Sequence, residues 1–441
     1  MKKNLFFVAA AALALTACSS DSEVTQSATQ KAAPQAVAFD TYTAGTTRAG
    51  QTGVMTTTTM QTTGFGVFAT WSNNTTYTST IGPNFMYNQH VTYADPGWAY
   101  NPVKYWPNET TADMHNTTGH ASSTATDRLS FFAYAPYVAS TVGTGAVAAS
   151  NADTNNEATP EAIEAGITAM STNAATTDPT ISYTMAYTPS KSVDLLWGVA
   201  PAGGLSYTAV DNTVINIAEG MPLIDLIKPS KDEKIKFLFK HALARLGLKV
   251  VAAVDQMTPG GNLDSNTKIF VNSVTIEDGA ASPALAPTGT LNLKNSSAGI
   301  ANWTLGTKGK FKLVINSARS NINTDLLSLS GNGVTTTAKH VIANDDYFMI
   351  IPTEGSAKAT FKVTIDYDVV TTDASLAGGK STVNNVIWKN IEVGDNTNGF
   401  TNNKAYTLKL ILGMTSVKLD AEVADWEDAG TSNVDLPKNQ E

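Results

Sequence analysis

The amino-acid sequence predicts an all-β protein built from antiparallel β-sandwiches. Strand- and turn-forming residues such as Thr, Ser, Asn, Gly and Val dominate its 441 positions, whereas helix-forming Glu, Lys, Arg and Leu are scarce. Short alternating runs of apolar and polar residues recur between turn-rich stretches, without amphipathic helices between them. With 42% apolar residues the chain can bury a large core, in two domains or in one large one.

Ten stretches carry the strand pattern. In the fifth of them the apolar residues change parity, so we expect a bulge or a sharp bend near residues 244 and 245. Residues 139–179 are rich in Ala, Thr, Asn and Ser, and they predict a long surface loop with one short helix at 161–170. The predicted strands are residues 64–71, 129–137, 181–187, 193–199, 235–254, 269–276, 311–315, 347–351, 361–370 and 406–423.

The first seventeen residues have the layout of a secretion signal. Lys2 and Lys3 form a positive start, and residues 5–15 form an apolar stretch too short to span a bilayer. Small residues then precede Cys18, as in a bacterial lipoprotein signal. We therefore expect residues 1–17 to be removed and the Cys18 thiol to receive a diacylglycerol. The alternative is an inert buried cysteine. Because Cys18 is the single cysteine, no disulfide can form within the chain.

The charge of the chain argues against a nucleic-acid partner. Without Lys2 and Lys3 the chain keeps 27 of its 29 basic residues against 38 acidic ones, a formal charge of −11. Nucleic-acid binding needs a basic face instead. No segment after the signal approaches the roughly 18 continuous apolar residues of a membrane helix. The lipid on Cys18 is therefore the expected attachment to the outer membrane.

Five phrases occur in a fixed order along the chain. They are GFGVFA at 64–69, the stretch from Trp98 to KYWP at 104–107, SFFAYAPY at 130–137, DLLWG at 194–198 and FLFKHALARL at 237–246. Their alternate aromatic residues, such as Phe132 and Tyr134, suit half-buried strands and describe a core rather than a ligand pocket. Together the phrases resemble the fimbrillin family, the type V pilins and fimbrillin-like surface lipoproteins of Gram-negative gut and oral bacteria.

The resemblance implies two transthyretin-like antiparallel β-sandwich domains in tandem, which we place at residues 49–297 and 298–441. It also implies lipoprotein transport to the cell outer membrane, cleavage by an arginine-specific protease, and polymerisation with other pilin subunits into an extracellular fimbrium. The expected role is structural and adhesive, with a receptor that the sequence does not identify, and it requires neither a cofactor nor enzymatic activity.

The expected cleavage lies between Arg48 and Ala49. Arg48 follows a weak strand, which includes Ala36, Ala38 and Thr41, and it lies among small polar residues that suit a protease. The resemblance implies a cut there, which would remove residues 18–48 as a lipidated tether and propeptide strand. Loss of a strand would expose unpaired backbone groups and an apolar groove that another strand can fill. The alternative is that Arg48 is a surface residue of a linker.

The C-terminus supplies candidates for the strand that fills this groove. Two alternating runs have one apolar face each, as a donor strand needs. Equally, both runs can be ordinary strands of the second domain, and a subunit at the tip of a fimbrium would not need a donor. The candidate donor residues are Tyr406, Leu408, Leu410, Leu412, Val417, Leu419, Ala421 and Val423.

No motif predicts a catalytic or metal site. The glycines at 143 and 145 follow no strand and open no periodic helix, so they do not indicate a dinucleotide loop. His115 and His120 have no carboxylate or cysteine at ligand spacing. His241 lies on the apolar parity of its strand and is interpreted as a hydrogen-bonded core histidine. Asp345 and Asp346 have no aromatic cleft beside them, which leaves glycosidase chemistry without support.

A second function remains open, that of a monomeric glycan-binding lipoprotein on the cell surface. It would require an exposed platform formed by Trp71, Trp98, Trp106 or Trp197. Trp106 and Trp197 share their parity with apolar neighbours, so we expect these two side chains to lie in the core.

Overall fold

The structure is a computed structural model. All residues that it describes belong to one unit, 35–441. Cys18, Arg48, Ala49, His115, His120, Asp345 and Asp346 lie outside the described residues. The described residues are 35–43, 54–72, 75–107, 127–139, 166–252, 267–278, 285–308, 312–316, 339–340, 347–353, 358–394, 399–412 and 417–425.

The described residues up to His241 form strands and one short α-helix. The helix α1, Thr57–Thr63, is capped at its N-terminus by the side chain of Thr56, which accepts a hydrogen bond from the Thr59 amide. The strands are β1 (Phe39–Thr43), β2 (Phe65–Ser72), β3 (Met86–Ala94), β4 (Gly97–Ala99), β5 (Arg128–Ala135), β6 (Gly166–Met170), β7 (Thr180–Thr184), β8 (Leu196–Val199), β9 (Leu205–Thr208), β10 (Val214–Ile217), β11 (Leu223–Leu226) and β12 (Ile235–His241).

The described residues after His241 are organised by strands alone. Two of these strands, β20 and β21, form a long antiparallel hairpin. The strands are β13 (Ala244–Ala252), β14 (Thr267–Asp278), β15 (Thr288–Asn292), β16 (Asn302–Leu305), β17 (Lys312–Asn316), β18 (Lys339–His340), β19 (Phe348–Ile350), β20 (Ala359–Thr372), β21 (Lys380–Val393), β22 (Lys404–Leu412) and β23 (Val417–Asp425).

The strands form four larger sheets and one hairpin. The first sheet has the order β1-β12-β8-β5-β2-β3-β4, with β11 also paired to β5. The second sheet has the order β16-β15-β7-β6, and β9 and β10 form a separate hairpin. The third sheet has the order β18-β13-β22-β23, with β19 also paired to β13, and the fourth has the order β17-β14-β20-β21. The prediction of an all-β fold is confirmed.

Two strand pairs depart from the expected antiparallel arrangement. β1 runs parallel to β12, and β13 runs parallel to β22. Parallel neighbours need a long connection, and both pairs have one because many residues separate their strands in the sequence. The first sheet therefore receives its edge strand β1 from a part of the chain that is remote from β12.

The centre of the first sheet, at β2, β5 and β8, is buried on both faces. Phe131 on β5 packs into one apolar cluster with Phe39 and Phe237, whereas the adjacent Phe132 packs into a second cluster with Trp197. The expectation of half-buried strands was wrong here, because apolar layers cover the sheet from both sides. A continuous apolar run rather than an alternating one is what such a strand requires.

Two glycines in the family phrases allow aromatic rings to cross the first sheet. Gly66 lies opposite Tyr134, and a Cβ at Gly66 would lie 2.3 Å from the Tyr134 ring. A Cβ at Gly198 would lie 2.7 Å from the Phe237 ring. Any side chain at these positions would displace a buried ring, which explains why glycines stand among the aromatic residues.

The chain passes from the first sheet to the third between β12 and β13. Ala242 and Leu243 form the bend, so the predicted bend is confirmed and lies just before residue 244. The domain boundary at 297 and 298 stays a prediction, but pairing crosses it. β15 and β16 pair with each other across it, and β13 and β14 pair with strands that follow it.

One predicted helix is wrong. Residues 166–170 form β6, which pairs with β7, instead of continuing a helix from 161. The buried Gly166 and Ile167 belong to a sheet that covers the core, so tertiary packing overrides the weak helical pattern. In the part of the chain that the structure describes, no helix is long and apolar enough to cross a membrane.

Candidate assembly site

The first strand, β1, lies at the edge of the first sheet and is held on two sides. Its residues pair in parallel register with β12, from Phe39 opposite Ile235 to Thr43 opposite Phe239. Just before β1, the Val37 amide donates to the Lys104 carbonyl at 2.9 Å, and the Trp106 amide donates to the Gln35 carbonyl at 2.9 Å. Residues 35–43 are therefore inserted between two segments of the chain.

The inward face of β1 is buried. Val37, Phe39, Thr41 and Thr43 point inward, whereas Asp40 and Tyr42 are exposed. The sequence interpretation found this strand and named Thr41, which is buried, together with Ala36 and Ala38, which have the outward parity. The missed signal is that Val37, Phe39 and Thr43 alternate on the same parity as Thr41.

Phe39 is the anchor of β1. Its side chain is 1% exposed. The Phe39 ring lies 6.1 Å from the Phe237 ring in a stacked arrangement, and it meets the rings of Phe65 at 6.1 Å and Phe131 at 5.9 Å edge-on. Aromatic contacts of this geometry add to the free energy gained from burial. Removal of β1 would therefore leave an apolar groove lined by aromatic rings.

Tyr100 fastens the strand that carries Phe39. Its hydroxyl donates a hydrogen bond of 2.7 Å to the Val37 carbonyl, and its ring centre lies 5.4 Å from that of Phe39. Burial raises the pKa of Tyr100 above its ordinary value of 10.0, so the phenol stays protonated as a donor even as the pH approaches 10. At the far end of β1, the Thr43 and Thr57 hydroxyls lie 2.9 Å apart.

The C-terminal candidates divide into two strands with different surroundings. β22 lies between β13 and β23 in the third sheet. Its residues Tyr406, Leu408 and Leu410 are each 0% exposed and belong to the core of the chain itself. The side chain of Leu412 is outside the described residues.

β23 is the outer strand of the third sheet. Among the described strands it pairs with β22 alone, from Lys404 opposite Asp425 to Leu412 opposite Val417. On the candidate apolar face, Ala421 is exposed and Val423 is 42% exposed. The side chains of Val417 and Leu419 on the same parity are outside the described residues. Apolar and polar residues alternate in the sequences of both strands. The apolar side chains of β22 are nevertheless buried, whereas Ala421 and Val423 on β23 are exposed.

The comparison with known proteins agrees with this architecture. No family model matches the chain. The fimbrium subunit Fim1C of Phocaeicola vulgatus is 22% identical over 428 residues, which cover 91% of this chain and 91% of that relative. The solved structure of a fimbrial protein from Bacteroides vulgatus has a TM-score of 0.58 and 20% identity, covering 89% of this chain and 99% of that one. The chain is therefore similar to a fimbrium subunit over nearly its whole length, and its fold is similar to that of a fimbrial protein. The tandem transthyretin-like arrangement of domains stays a prediction.

None of the four tryptophans that the glycan-platform alternative needs is fully exposed. Trp106 is 3% exposed and Trp197 is 0% exposed, which confirms that both belong to the core. Trp71 and Trp98 are partly buried against the same cluster as Phe39. The sequence interpretation did not single out Trp388, which lies on β21 and is 59% exposed.

His241 is a core residue, as its parity predicted. It is 2% exposed, and its Nδ1 lies 2.7 Å from Oδ2 of the buried Asp194. The same Asp194 oxygen accepts a 2.9 Å hydrogen bond from the Met55 amide. The pair thus fixes the segment that enters α1. Within the residues that the structure describes, no group of three or more His, Cys, Asp or Glu side chains could hold a metal ion.

Proposed function

We propose that the chain is a non-enzymatic, adhesive subunit of a fimbrium that polymerises by strand exchange. In this proposal the precursor is exported and lipidated at Cys18, and an arginine-specific protease cuts between Arg48 and Ala49. The removed segment carries β1 away, and β23 of another subunit fills the groove. The similarity to a fimbrium subunit over nearly the whole chain supports the assignment.

The burial of β1 is the observation that carries the proposal. Val37 and Phe39 fill an apolar groove at a sheet edge, and β1 ends at Thr43, shortly before Arg48. A cut after Arg48 would leave every residue of β1 on the released segment. The groove would then present aromatic rings and the unpaired edge of β12, a surface that another strand can cover by β-augmentation.

β23 has the properties of the strand that would fill the groove. It is an edge strand, and its apolar residues recur at every second position, as do the residues of β1 that fill the groove. Ala421 and Val423 are exposed, so they can be buried in a partner without removing them from a core of their own. β22 lacks this property because its apolar side chains are already buried.

The protease step can be tested with Arg48→Ala. Purified precursor treated with an arginine-specific protease should form ladders that resist mild denaturant, and the Arg48→Ala precursor should stay monomeric. Arg319→Ala is the matched control, because it removes another arginine while leaving the proposed site intact. Equally rapid polymerisation of the Arg48→Ala precursor and the parent under protease would contradict the groove mechanism.

The lipid step can be tested independently with Cys18→Ala. Since Cys18 is the single cysteine, the variant should incorporate no labelled fatty acid and should fail to reach the outer membrane. Cys18→Ser is the second variant, because it keeps the size and polarity of the side chain without the thiol. Persistent fatty-acid labelling of both variants would exclude Cys18 as the acceptor.

A further inference from the structure

The fourth sheet has a face that carries an exposed indole. Ile387 and Ile391 on β21 pack against the core, so the intervening Trp388 and the neighbouring Val386 lie on the opposite face. Trp388 is 59% exposed and Val386 is 60% exposed. Large exposed apolar side chains of this kind indicate a binding surface when they stand beside ordered polar groups.

Ordered polar groups surround this indole on the neighbouring strands. Thr364 on β20 lies directly opposite Trp388, with Lys362 and Asp366 as its diagonal neighbours. The Lys362 ammonium lies 5.5 Å from the centre of the Trp388 ring. The next strand continues the face with the partly exposed hydroxyl residues Ser273 and Thr275, opposite Asp366 and Thr364.

Asp366 is held as a fixed acceptor on this face. Its Oδ1 accepts hydrogen bonds from Nδ2 of Asn384 at 2.7 Å and from Nδ2 of Asn272 at 3.0 Å. The Asn384 amide also donates to Oδ1 of Asp368 at 2.8 Å. Two amides therefore orient one carboxylate beside the indole, so a ligand would meet a preorganised acceptor rather than a mobile side chain.

We propose that the exposed face around Trp388 binds a neutral saccharide chain, with a sugar ring stacked on the indole and its hydroxyls bonded to Asp366 and Thr364. An indole supplies the flat apolar surface that the C–H face of a sugar ring covers, and carboxylate, amide and hydroxyl groups bond its hydroxyls.

The charge and shape of the face favour this ligand over others. The Lys362 ammonium lies 3.5 Å from Oε2 of Glu277, so the cation beside the indole is already paired with an acid. The face therefore offers no excess of positive charge to attract a phosphate or a polyanion. It is a sheet surface with two exposed apolar side chains, which suits a flat, hydroxyl-rich ligand better than the apolar core of a protein interface.

The inference does not rest on strand exchange, because it concerns the uncleaved chain. Isothermal titration should be performed on the precursor with cellohexaose, laminarihexaose, mannohexaose and chitohexaose as separate probes. At least one of these hexasaccharides should bind, and Trp388→Ala should raise the Kd for it at least about tenfold. Trp388→Phe should keep part of the affinity because it retains an aromatic face. Asp366→Asn should weaken binding while leaving the indole in place.

Tyr105→Ala is the matched control, since Tyr105 is 53% exposed but lies far from β21 in the sequence and forms an isolated β-bridge with Ala36, next to β1. Its Kd should equal that of the parent, and all variants should keep the thermal midpoint of the parent. Absence of binding by all four hexasaccharides would overturn the proposal, as would unchanged affinity in Trp388→Ala. Loss of polymerisation rather than of sugar binding in Trp388→Ala would overturn it in favour of a contact between subunits.

Discussion

β1 and β23 are both edge strands with an apolar alternation, yet their apolar faces lie in opposite environments. The inward face of β1 is buried against aromatic rings, with Phe39 only 1% exposed. On β23, Ala421 is exposed and Val423 is 42% exposed. The comparison teaches that an edge position alone does not define a role. A strand that fills a groove and a strand that offers an apolar face are complementary, which is what strand exchange between subunits requires.

The largest expected effect is the loss of stability when a charge is placed on β22, the buried neighbour of β23. Leu408 on β22 is 0% exposed, so Leu408→Asp would place an unpaired carboxylate in the core. We expect it to lower the free energy of unfolding by roughly 4 kcal/mol, a large part of the stability of a typical domain. Thermal or urea unfolding of the purified precursor measures this loss. A midpoint equal to that of the parent would show that β22 is not a core strand in solution.

The matched change on β23 should affect assembly instead of folding. Ala421→Asp places the same charge on an exposed residue, so the thermal midpoint should stay within about 2 °C of the parent. Protease-treated subunits should nevertheless fail to form ladders, because the carboxylate would enter a partner's apolar groove. Normal ladders from Ala421→Asp and Val423→Asp would exclude this face of β23 as the donor.

A third prediction addresses β1, the other strand of the comparison. Phe39→Ala should weaken the docking of β1 by about 3–5 kcal/mol, because it removes a buried ring from an aromatic cluster. The uncleaved variant should then bind a synthetic peptide of residues 415–427, whereas the uncleaved parent should bind it much more weakly. Peptide capture can be measured by fluorescence anisotropy.

Tyr42→Ala is the control for this experiment, because Tyr42 is an aromatic residue on the exposed face of the same strand. It should bind the peptide as weakly as the parent does. If Phe39→Ala binds the peptide no better than Tyr42→Ala does, Phe39 is not the anchor that closes the groove.

The sequence predicted the class of fold because strand alternation is a local signal. It located β2, β5 and β20 and the bend between β12 and β13. The environment of a strand is a property of the whole chain, so alternation could not tell β22 from β23. Only the pairing of β22 with β13 on one side and β23 on the other distinguishes them.

The two-sided burial at the centre of the first sheet also escaped prediction. Phe131 and Phe132 are adjacent and pack into different clusters, which a period of two cannot represent. Trp388 was missed as well. It ends the apolar run Val386-Ile387-Trp388, which does not alternate, and only the exposure of its side chain in the folded chain marks it.

The smallest expected effect concerns pH and the bond that Tyr100 makes to the segment before β1. Burial raises the pKa of Tyr100 in the folded chain above 10.0, so the folded state keeps its proton where the detached state loses it. The stabilisation of β1 by Tyr100 is therefore complete below pH 10 and is lost as the pH rises through the raised pKa.

Capture of the 415–427 peptide by the uncleaved parent should consequently increase modestly between pH 9 and pH 11. Tyr100→Phe removes the titrating group together with the hydrogen bond of 2.7 Å to the Val37 carbonyl. This variant should capture slightly more peptide at pH 9, by about 1 kcal/mol or less for one neutral hydrogen bond, and its capture should depend less on pH than that of the parent. Identical pH dependence in the two chains would assign the alkaline response to other buried tyrosines, such as Tyr207, rather than to the attachment of β1.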